Sequence, residues 1–524
     1  MRQTFTHARS SKLIPSFILF MAGALSGLAL PPVGFWWVLL ITIPLLLWRL
    51  ETVTPRGWCS AFWAGLSFGF GYFCAAFHWI GFAFFVNAAD IWMMPFAVGG
   101  LALFMACYWA IALAVAARVP LQVAPGWLSA LLVLSVAEWL RGHLFTGFPW
   151  GVPGLAADGM GGVAQVASLV GANGLTVLLL VWSALPFVIW RKRRNGVAAL
   201  APPVLVLALL PLSHLWGLWR LSSSPTVFHD SAIVRLVQPN ISQDDKWRSD
   251  NSVAIFDTLT RLSSAGPDAG AVTHVVWPES SVPFLLDEDK VARERIASLL
   301  SPGRTLLAGA IRREVDATCA TCPDLYFTSI LMMNDAGAVS AAYDKWRLVP
   351  GGEYLPLESF LSRFGFRKVV SLPESFTAGE GPRNLDVPGL GPAGMLICYE
   401  VIFSHALVNA VRPNLLVNVT NDGWFGGSVG PHQHLAQARM RSIEQGLPLL
   451  RSANTGISAV IDPMGRLLAQ TGLEQSIYLD SRIPVAGAVT PYARWGDAVM
   501  FCLLLALLVV FCGTGSLVTP RQPD

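Results

Sequence analysis

His274-Val275-Val276-Trp277-Pro278-Glu279 is an apolar run, closed by a proline, that delivers a carboxylate. Two other runs, far apart in the chain, are built the same way. Ala341-Ala342-Tyr343-Asp344 delivers Lys345, and Gly394-Met395-Leu396-Ile397 delivers Cys398. Short runs rich in Val, Ile, Leu and Tyr read as buried strands. A carboxylate, an ammonium and a thiol at strand ends are the parts of a thiol acyl-transfer site that needs no histidine. The strand before Glu279 is strongly apolar, which puts the carboxylate beside a desolvated core edge, the setting of a general base. A strand that ends on Cys398 and passes into Tyr399-Glu400 puts the sulfur on a sharp turn. Backbone N–H groups after such a turn can face a developing oxyanion. After Lys345, the segment Trp346-Arg347-Leu348-Val349-Pro350-Gly351-Gly352-Glu353 interleaves charges with apolar residues and includes a glycine turn. That pattern suits a rigid loop, with Glu353 placed to pair with Lys345 and orient it.

These three runs share one polar segment, residues 222–490. Further strands are read at 232–237, 305–310, 329–333, 415–419 and 456–461, and helices at 251–264, 289–300 and 434–445. Near-continuous apolar strands interleaved with helices predict α/β layers with the sheets covered on both sides. Asn334-Asp335-Ala336-Gly337 and Asp462-Pro463-Met464-Gly465 are turns between strands.

The rest of the chain is of another kind. Of 524 residues, 54% are hydrophobic and 13% charged, against about 25% charged in soluble proteins. The mean hydropathy is +0.53. This is a polytopic membrane protein. A net charge of +3 is too mild for a nucleic-acid partner. Apolar stretches near 12–30, 34–50, 59–84, 92–117, 125–141, 162–190, 197–219 and 496–517 each approach the roughly 20 residues of a span. Arg2, Arg9, Lys12, Arg49, Arg56, Arg118 and the run Arg191-Lys192-Arg193-Arg194 fall on alternate connections. The opposite short loops hold almost no Lys or Arg. The positive-inside rule then puts both termini in the cytoplasm and residues 222–490 outside. The expected division is 1–221, seven transmembrane helices; 222–490, catalytic domain; 491–524, the eighth helix and a cytoplasmic tail.

Cys59, Cys74, Cys107, Cys502 and Cys512 lie in the apolar stretches and read as small buried thiols. Cys319 and Cys322 read as a loop disulfide or as two idle thiols, because no second Cys/His pair stands at metal spacing. The stretch Asn418-Val419-Thr420-Asn421-Asp422-Gly423-Trp424-Phe425-Gly426 begins as a strand and breaks into an aromatic loop. His432 and His434 follow and read as loop or helix-start residues rather than ligands. No metal is expected.

The segments Trp277-Pro278-Glu279, Asp344-Lys345-Trp346-Arg347-Leu348-Val349-Pro350 and Ile397-Cys398-Tyr399-Glu400 resemble the three signatures of the nitrilase, or carbon–nitrogen hydrolase, superfamily. Joined to eight spans, the whole chain resembles the apolipoprotein N-acyltransferase family of the bacterial cytoplasmic (inner) membrane. The resemblance implies an extracytoplasmic, periplasmic α-β-β-α sandwich on a transmembrane bundle of eight helices. It implies transfer of an acyl chain from a phospholipid donor to the α-amino group of a diacylglyceryl-cysteine apolipoprotein acceptor, the last step of lipoprotein maturation, with no cofactor. By that resemblance Glu279 is the general base, Lys345 the oxyanion-stabilising lysine and Cys398 the nucleophile that carries a thioester. Trp247, Glu353, Tyr399 and Glu400 match further residues the family needs. The turn at Pro350-Gly351-Gly352-Glu353 departs from the pattern, which has an aromatic before the glycine. Phe148, in the apolar loop 144–150, and Trp424 are candidates for a lipid gate or for interfacial anchors. The rival reading is a membrane-tethered amidase or nitrilase acting on a small C–N substrate. A transporter fits poorly, since ionisable residues within the spans are few.

Overall fold

The computed structural model describes residues 2–53, 57–118, 126–194, 196–300, 302–315, 323–365, 376–404 and 411–513. Cys319 and Cys322 lie outside them. The chain divides into two units. The first takes in Met1–Gly81, Met94–Ser224 and Thr490–Asp524; the second takes in Phe82–Met93 and Pro225–Val489.

The first unit is helical. Its helices are α1 (Arg2–Ser26), α2 (Leu39–Val53), α3 (Trp58–Phe77), α4 (Met94–Ala116), α5 (Gly126–Arg141), α6 (Ala167–Lys192) and α7 (Val197–Ser223). Among the described residues, four helical stretches are long and apolar enough to cross a membrane: Trp58–Phe85, Ala88–Ala116, Pro153–Lys192 and Ala199–Ser223. Ile14–Ala29 and Ala498–Val509 are shorter apolar helices. Small residues let the helices meet. A side chain on Gly23 of α1 would strike the backbone of Phe68, and one on Gly71 of α3 would strike that of Phe20.

One buried polar cluster stands inside this apolar unit. Arg141 and Glu138, 0% and 1% exposed, are joined by Nε–Oε1 and Nη2–Oε2 bonds of 3.0 and 2.7 Å. Trp109 Nε1 donates to the same carboxylate at 2.6 Å. The remaining Arg141 nitrogen donates to the carbonyls of Phe148 and Trp150. A charge in apolar surroundings needs such full pairing. The effect is to pin the backbone of the loop that carries Phe148.

Among the described residues, the second unit holds twelve strands in two six-stranded sheets. The first sheet has the order β12-β1-β2-β3-β4-β5, where β1 is Phe228–Gln238, β2 His274–Trp277, β3 Thr305–Glu314, β4 Leu325–Met333, β5 Val339–Asp344 and β12 Ile477–Pro484. The second runs β11-β10-β9-β8-β7-β6, where β6 is Asn384–Val387, β7 Gly391–Ile397, β8 Leu415–Thr420, β9 Leu449–Ala453, β10 Ala459–Ile461 and β11 Leu467–Gln470. The helices are α8 (Gln243–Lys246), α9 (Ser252–Ser264), α10 (Lys290–Leu299), α11 (Glu358–Leu361) and α12 (Gly430–Gln445). The chain then re-enters the first unit as α13 (Pro491–Trp495) and α14 (Ala498–Gly513).

Strand alternation explains the layering. Val276 and Leu307 face one core, shared with Met395, Ile397, Val417 and Val419 of the other sheet. Their neighbours Val275, Trp277, Leu306 and Ala308 face a second core, shared with Phe256 and Leu259 of α9 and Ile296 of α10. Successive side chains point to opposite faces, so a strand apolar at every position belongs between two layers. The apolar runs 274–277 and 394–397 are such strands. The sheets pack face to face through the first core, and α9 and α10 cover the outer face of one of them.

Candidate active site

Three strands of the second unit end on the three reactive residues. Glu279 follows β2 after Pro278, Lys345 directly follows β5, and Cys398 directly follows β7. The turn after Glu279 is tight, with Ser280 at φ 45°. It lies against β3, where a Cβ on Gly309 would sit 2.7 Å from the Glu279 Cα. Only glycine fits that approach. Ser281 N donates to the Gly309 carbonyl at 2.7 Å and locks the turn.

Lys345 is 1% exposed. Its Nζ donates to Glu279 Oε1 and to Glu353 Oε1, each at 3.0 Å. Glu353 Oε2 accepts in turn from Val349 N at 2.8 Å. Burial alone would lower the Lys345 pKa, but the charges of Glu279 and Glu353 hold it well above the usual lysine range. Burial pushes the Glu353 carboxyl up, against the pull of Lys345. The ammonium is therefore permanent at neutral pH.

Cys398 is a non-glycine residue at φ 47°, a sparsely populated conformation of order 1–3 kcal/mol in strain. Burial raises its thiol pKa far above the ordinary value. Glu279 adds to the rise, while Lys345 and a hydrogen bond with Thr420 oppose it. The resting group is thus a protonated thiol, within the electrostatic reach of both Glu279 and Lys345.

Glu400 is 2% exposed and ties two loops together. Its carboxylate accepts from Ile397 N at 2.7 Å, Trp346 N at 2.8 Å and the Tyr343 hydroxyl at 2.9 Å. The Lys345 loop and the Cys398 turn therefore share one anchor. Burial pushes the Glu400 pKa up to about 7, against the pull of the Ile397 and Trp346 N–H groups. A raised carboxyl pKa favours the native state below the unfolded value near 4.3 and loses that contribution as pH rises through 7. Wild type is expected to lose up to about 3 kcal/mol of its advantage over E400Q between pH 4.5 and 8. Denaturant melts of the two proteins at stepped pH measure it. A pH-independent difference would remove the assignment.

Tyr399 is 5% exposed and stacks edge-on against Phe403 at 5.0 Å. Trp247 closes α8, with the Lys246 ammonium 5.8 Å from its ring. Trp424 sits half-buried in the short turn Asp422–Phe425. Phe148 belongs to the first unit, half-buried and edge-on to Phe77 at 5.2 Å.

Sequence reasoning missed several residues around the thiol. Lys246, 1% exposed, donates to the Glu279 carbonyl at 3.2 Å. Burial lowers its pKa to about 8, although Glu279 and Cys398 pull the other way. A lysine within Asp244-Asp245-Lys246 carries no local signal of burial. His434 does lie at a helix start, in the first turns of α12. The fold also brings other ligand-type groups to it. Cys398, Asp422 and His434 bring ligand-type atoms within 4.8 Å of one another. Their residue types suit a metal, but the Arg451 guanidinium occupies the same cluster. It donates to Asp422 Oδ2 at 2.7 Å and reaches His434 Nδ1 at 3.1 Å. A fixed positive charge there opposes a cation, so we assign no metal to the cluster.

Residues 22–185 match the family described as Apolipoprotein N-acyltransferase N-terminal domain, and residues 233–488 match Carbon-nitrogen hydrolase. The chain is 40% identical over 506 residues to an apolipoprotein N-acyltransferase of Rhodopseudomonas palustris, covering 94% of each. It is 41% identical over 506 residues to one of Bradyrhizobium diazoefficiens, again covering 94% of each. A solved amidase from Nesterenkonia sp. AN1 is 17% identical, with a TM-score of 0.36, over 53% of this chain and 99% of that one. The second unit has a nitrilase-like carbon–nitrogen hydrolase fold, and the chain belongs to the apolipoprotein N-acyltransferase family.

Proposed function

We propose that this protein transfers an acyl chain from a phospholipid to the α-amino group of a diacylglyceryl-cysteine apolipoprotein, through a thioester on Cys398. The observation that carries the reading is Lys345, buried and bonded to both Glu279 and Glu353 beside the thiol. Because the resting thiol is protonated, its proton must leave as the attack begins. Glu279 takes it, and the sulfur attacks the ester carbonyl. The ammonium of Lys345 and the Tyr399 backbone N–H hold the tetrahedral oxyanion. Glu279 returns the proton to the leaving lysophospholipid. The lipoprotein amine then attacks the thioester, loses a proton to Glu279 and regenerates the thiol.

The same reading divides the chain into transmembrane helices at 1–221, a periplasmic catalytic domain at 222–490 and a final helix and tail at 491–524. It has eight spans and both termini in the cytoplasm, in the bacterial inner membrane. The basic residues on alternate connections support that orientation. Apolar chains cost about 0.8 kcal/mol per methylene to expose to water, so both substrates come from the bilayer. Phe148 and Trp424 remain the gate candidates.

Purified protein incubated with a phosphatidylethanolamine is expected to gain one acyl mass. Peptide mapping should place it on Cys398, and a diacylglyceryl peptide should discharge it. Turnover of a small amide with no acyl adduct would instead favour a tethered amidase.

A further inference from the structure

The peptide bond between Cys398 and Tyr399 has one face in the proposed oxyanion site and the other in a buried polar cluster. His434 is fully buried on α12. Its Nε2 is 3.1 Å from the Cys398 carbonyl oxygen. Its Nδ1 is 2.8 Å from Asp422 Oδ1 and 3.1 Å from Arg451 Nη2. Arg451, also fully buried, is held further by Asn418 Oδ1 and by the Ile457 carbonyl at 3.3 Å. Thr420, a hydrogen-bond partner of the thiol, donates to Asp422 Oδ1 at 2.9 Å.

A carbonyl accepts only from a protonated ring nitrogen, so His434 must carry its proton on Nε2. Burial and the Arg451 charge lower the imidazole pKa, while Asp422 and the Cys398 carbonyl, the acceptors that face Nδ1 and Nε2, oppose the fall. The peptide unit is planar and trans. Fixing its carbonyl oxygen on one side therefore fixes the direction of the Tyr399 N–H on the other. Cys398 stands at φ 47°, where a residue with a Cβ does not rest unaided.

We infer that His434, held by Asp422 and Arg451, is a positioning residue that aims the Tyr399 N–H at the oxyanion by gripping the opposite end of the same peptide plane. It touches no substrate atom and takes no proton. The inference rests on the acyl-transfer reading for its physiological substrate.

The test compares three variants of the full-length protein in detergent. In H434L the donor is gone. In H434N the shorter amide still meets Asp422 and Arg451 but falls short of the Cys398 carbonyl. In H434Q an amide N–H reaches close to the position of Nε2. Single-turnover acylation by phospholipid and by p-nitrophenyl butyrate both pass through an oxyanion. Alkylation of Cys398 by iodoacetamide does not. Acylation is expected to fall about 100-fold in H434L and H434N, with KM little changed, and to recover in large part in H434Q. Alkylation should stay within a few-fold of wild type in all three. H434N guards against a folding defect in H434L, since it keeps the cluster and should keep the melting temperature.

Acylation at the wild-type rate in H434N would overturn the inference. So would a parallel fall in alkylation, which would mean that His434 acts on the thiol or on the fold. Wild type that reacts with the p-nitrophenyl ester but not with phospholipid would sink the phospholipid reading, while leaving the His434 comparison intact on the small ester.

Discussion

Replacing Cys398 by alanine is expected to abolish acyl transfer, by about 10⁴-fold or more, with the fold retained. A covalent route has no substitute for its nucleophile. The residue is small and 8% exposed, so alanine leaves a minor void. The turn that holds it stays anchored by the Glu400 carboxylate on Ile397 N and by His434 on the backbone carbonyl. C398S is expected to fold as well and to remain nearly inactive, because a hydroxyl is far harder to ionise than a thiol already raised by burial. A fluorescent phospholipid donor with a diacylglyceryl peptide acceptor measures transfer, and thermal melts report the fold. Transfer by C398A at even one-hundredth of the wild-type rate would rule out the thioester.

The second large effect is expected from K345M, in stability as well as rate. Lys345 is the cation between two buried carboxylates. Removing it leaves Glu279 and Glu353 facing each other in a medium that solvates neither. Stripping one partner from a buried ion pair costs about 3–5 kcal/mol. The loss should be smaller in acid, where Glu353, already pushed up by burial, is neutral. It should also be smaller in the double variant K345M/E353Q, which removes one of the stranded charges. Acylation should stay at least about 10³-fold down in both, since neither restores a cation to the oxyanion. Urea or thermal melts of the four proteins in the cycle give the coupling directly. Additive stability losses would mean that the two side chains do not share the site in solution. Recovery of acylation in the double variant would mean that the Lys345 charge serves only the fold.

The two units differ in what stabilises a charged group. In the helical unit, Arg141 and Glu138 satisfy one another and the carbonyls of a loop, so the pair is structural. In the sheet unit, Lys345 is bonded to two carboxylates within electrostatic reach of a protonated thiol, an arrangement in which proton position matters. Equal burial therefore does not imply equal role. The neighbours decide it.

Residues 274–279, 341–345 and 394–398 were legible as strands with reactive ends, because a strand that is apolar throughout has few places to go. The turns at 334–337 and 462–465 were legible from their Asn, Asp and Gly residues, and each closes on a backbone bond, Gly337 N to Asn334 O and Gly465 N to Asp462 O. The helices read at 251–264 and 289–300 appear as Ser252–Ser264 and Lys290–Leu299. Among the described residues each of the eight apolar stretches contains a helix, and four meet the length of a span. The polar cluster behind Cys398 left no such trace. Asn418, Thr420 and Asp422 looked like a strand fraying into a loop, and His434 like an ordinary helix start.

Chain order alone determined what is periodic and local: which segments are apolar on both faces, where strands stop, and which reactive group stands at each stop. The tertiary fold alone decided which distant atoms meet. Lys246 beneath Glu279, His434 and Arg451 behind Cys398, and the Phe82–Met93 segment grouped with the sheet unit rather than with the helices that flank it are contacts of this kind. The physical reason is range. Side-chain alternation and turn preference act over a few residues, whereas burial of a charge is settled by whatever the packed sheets bring within about 3 Å of it.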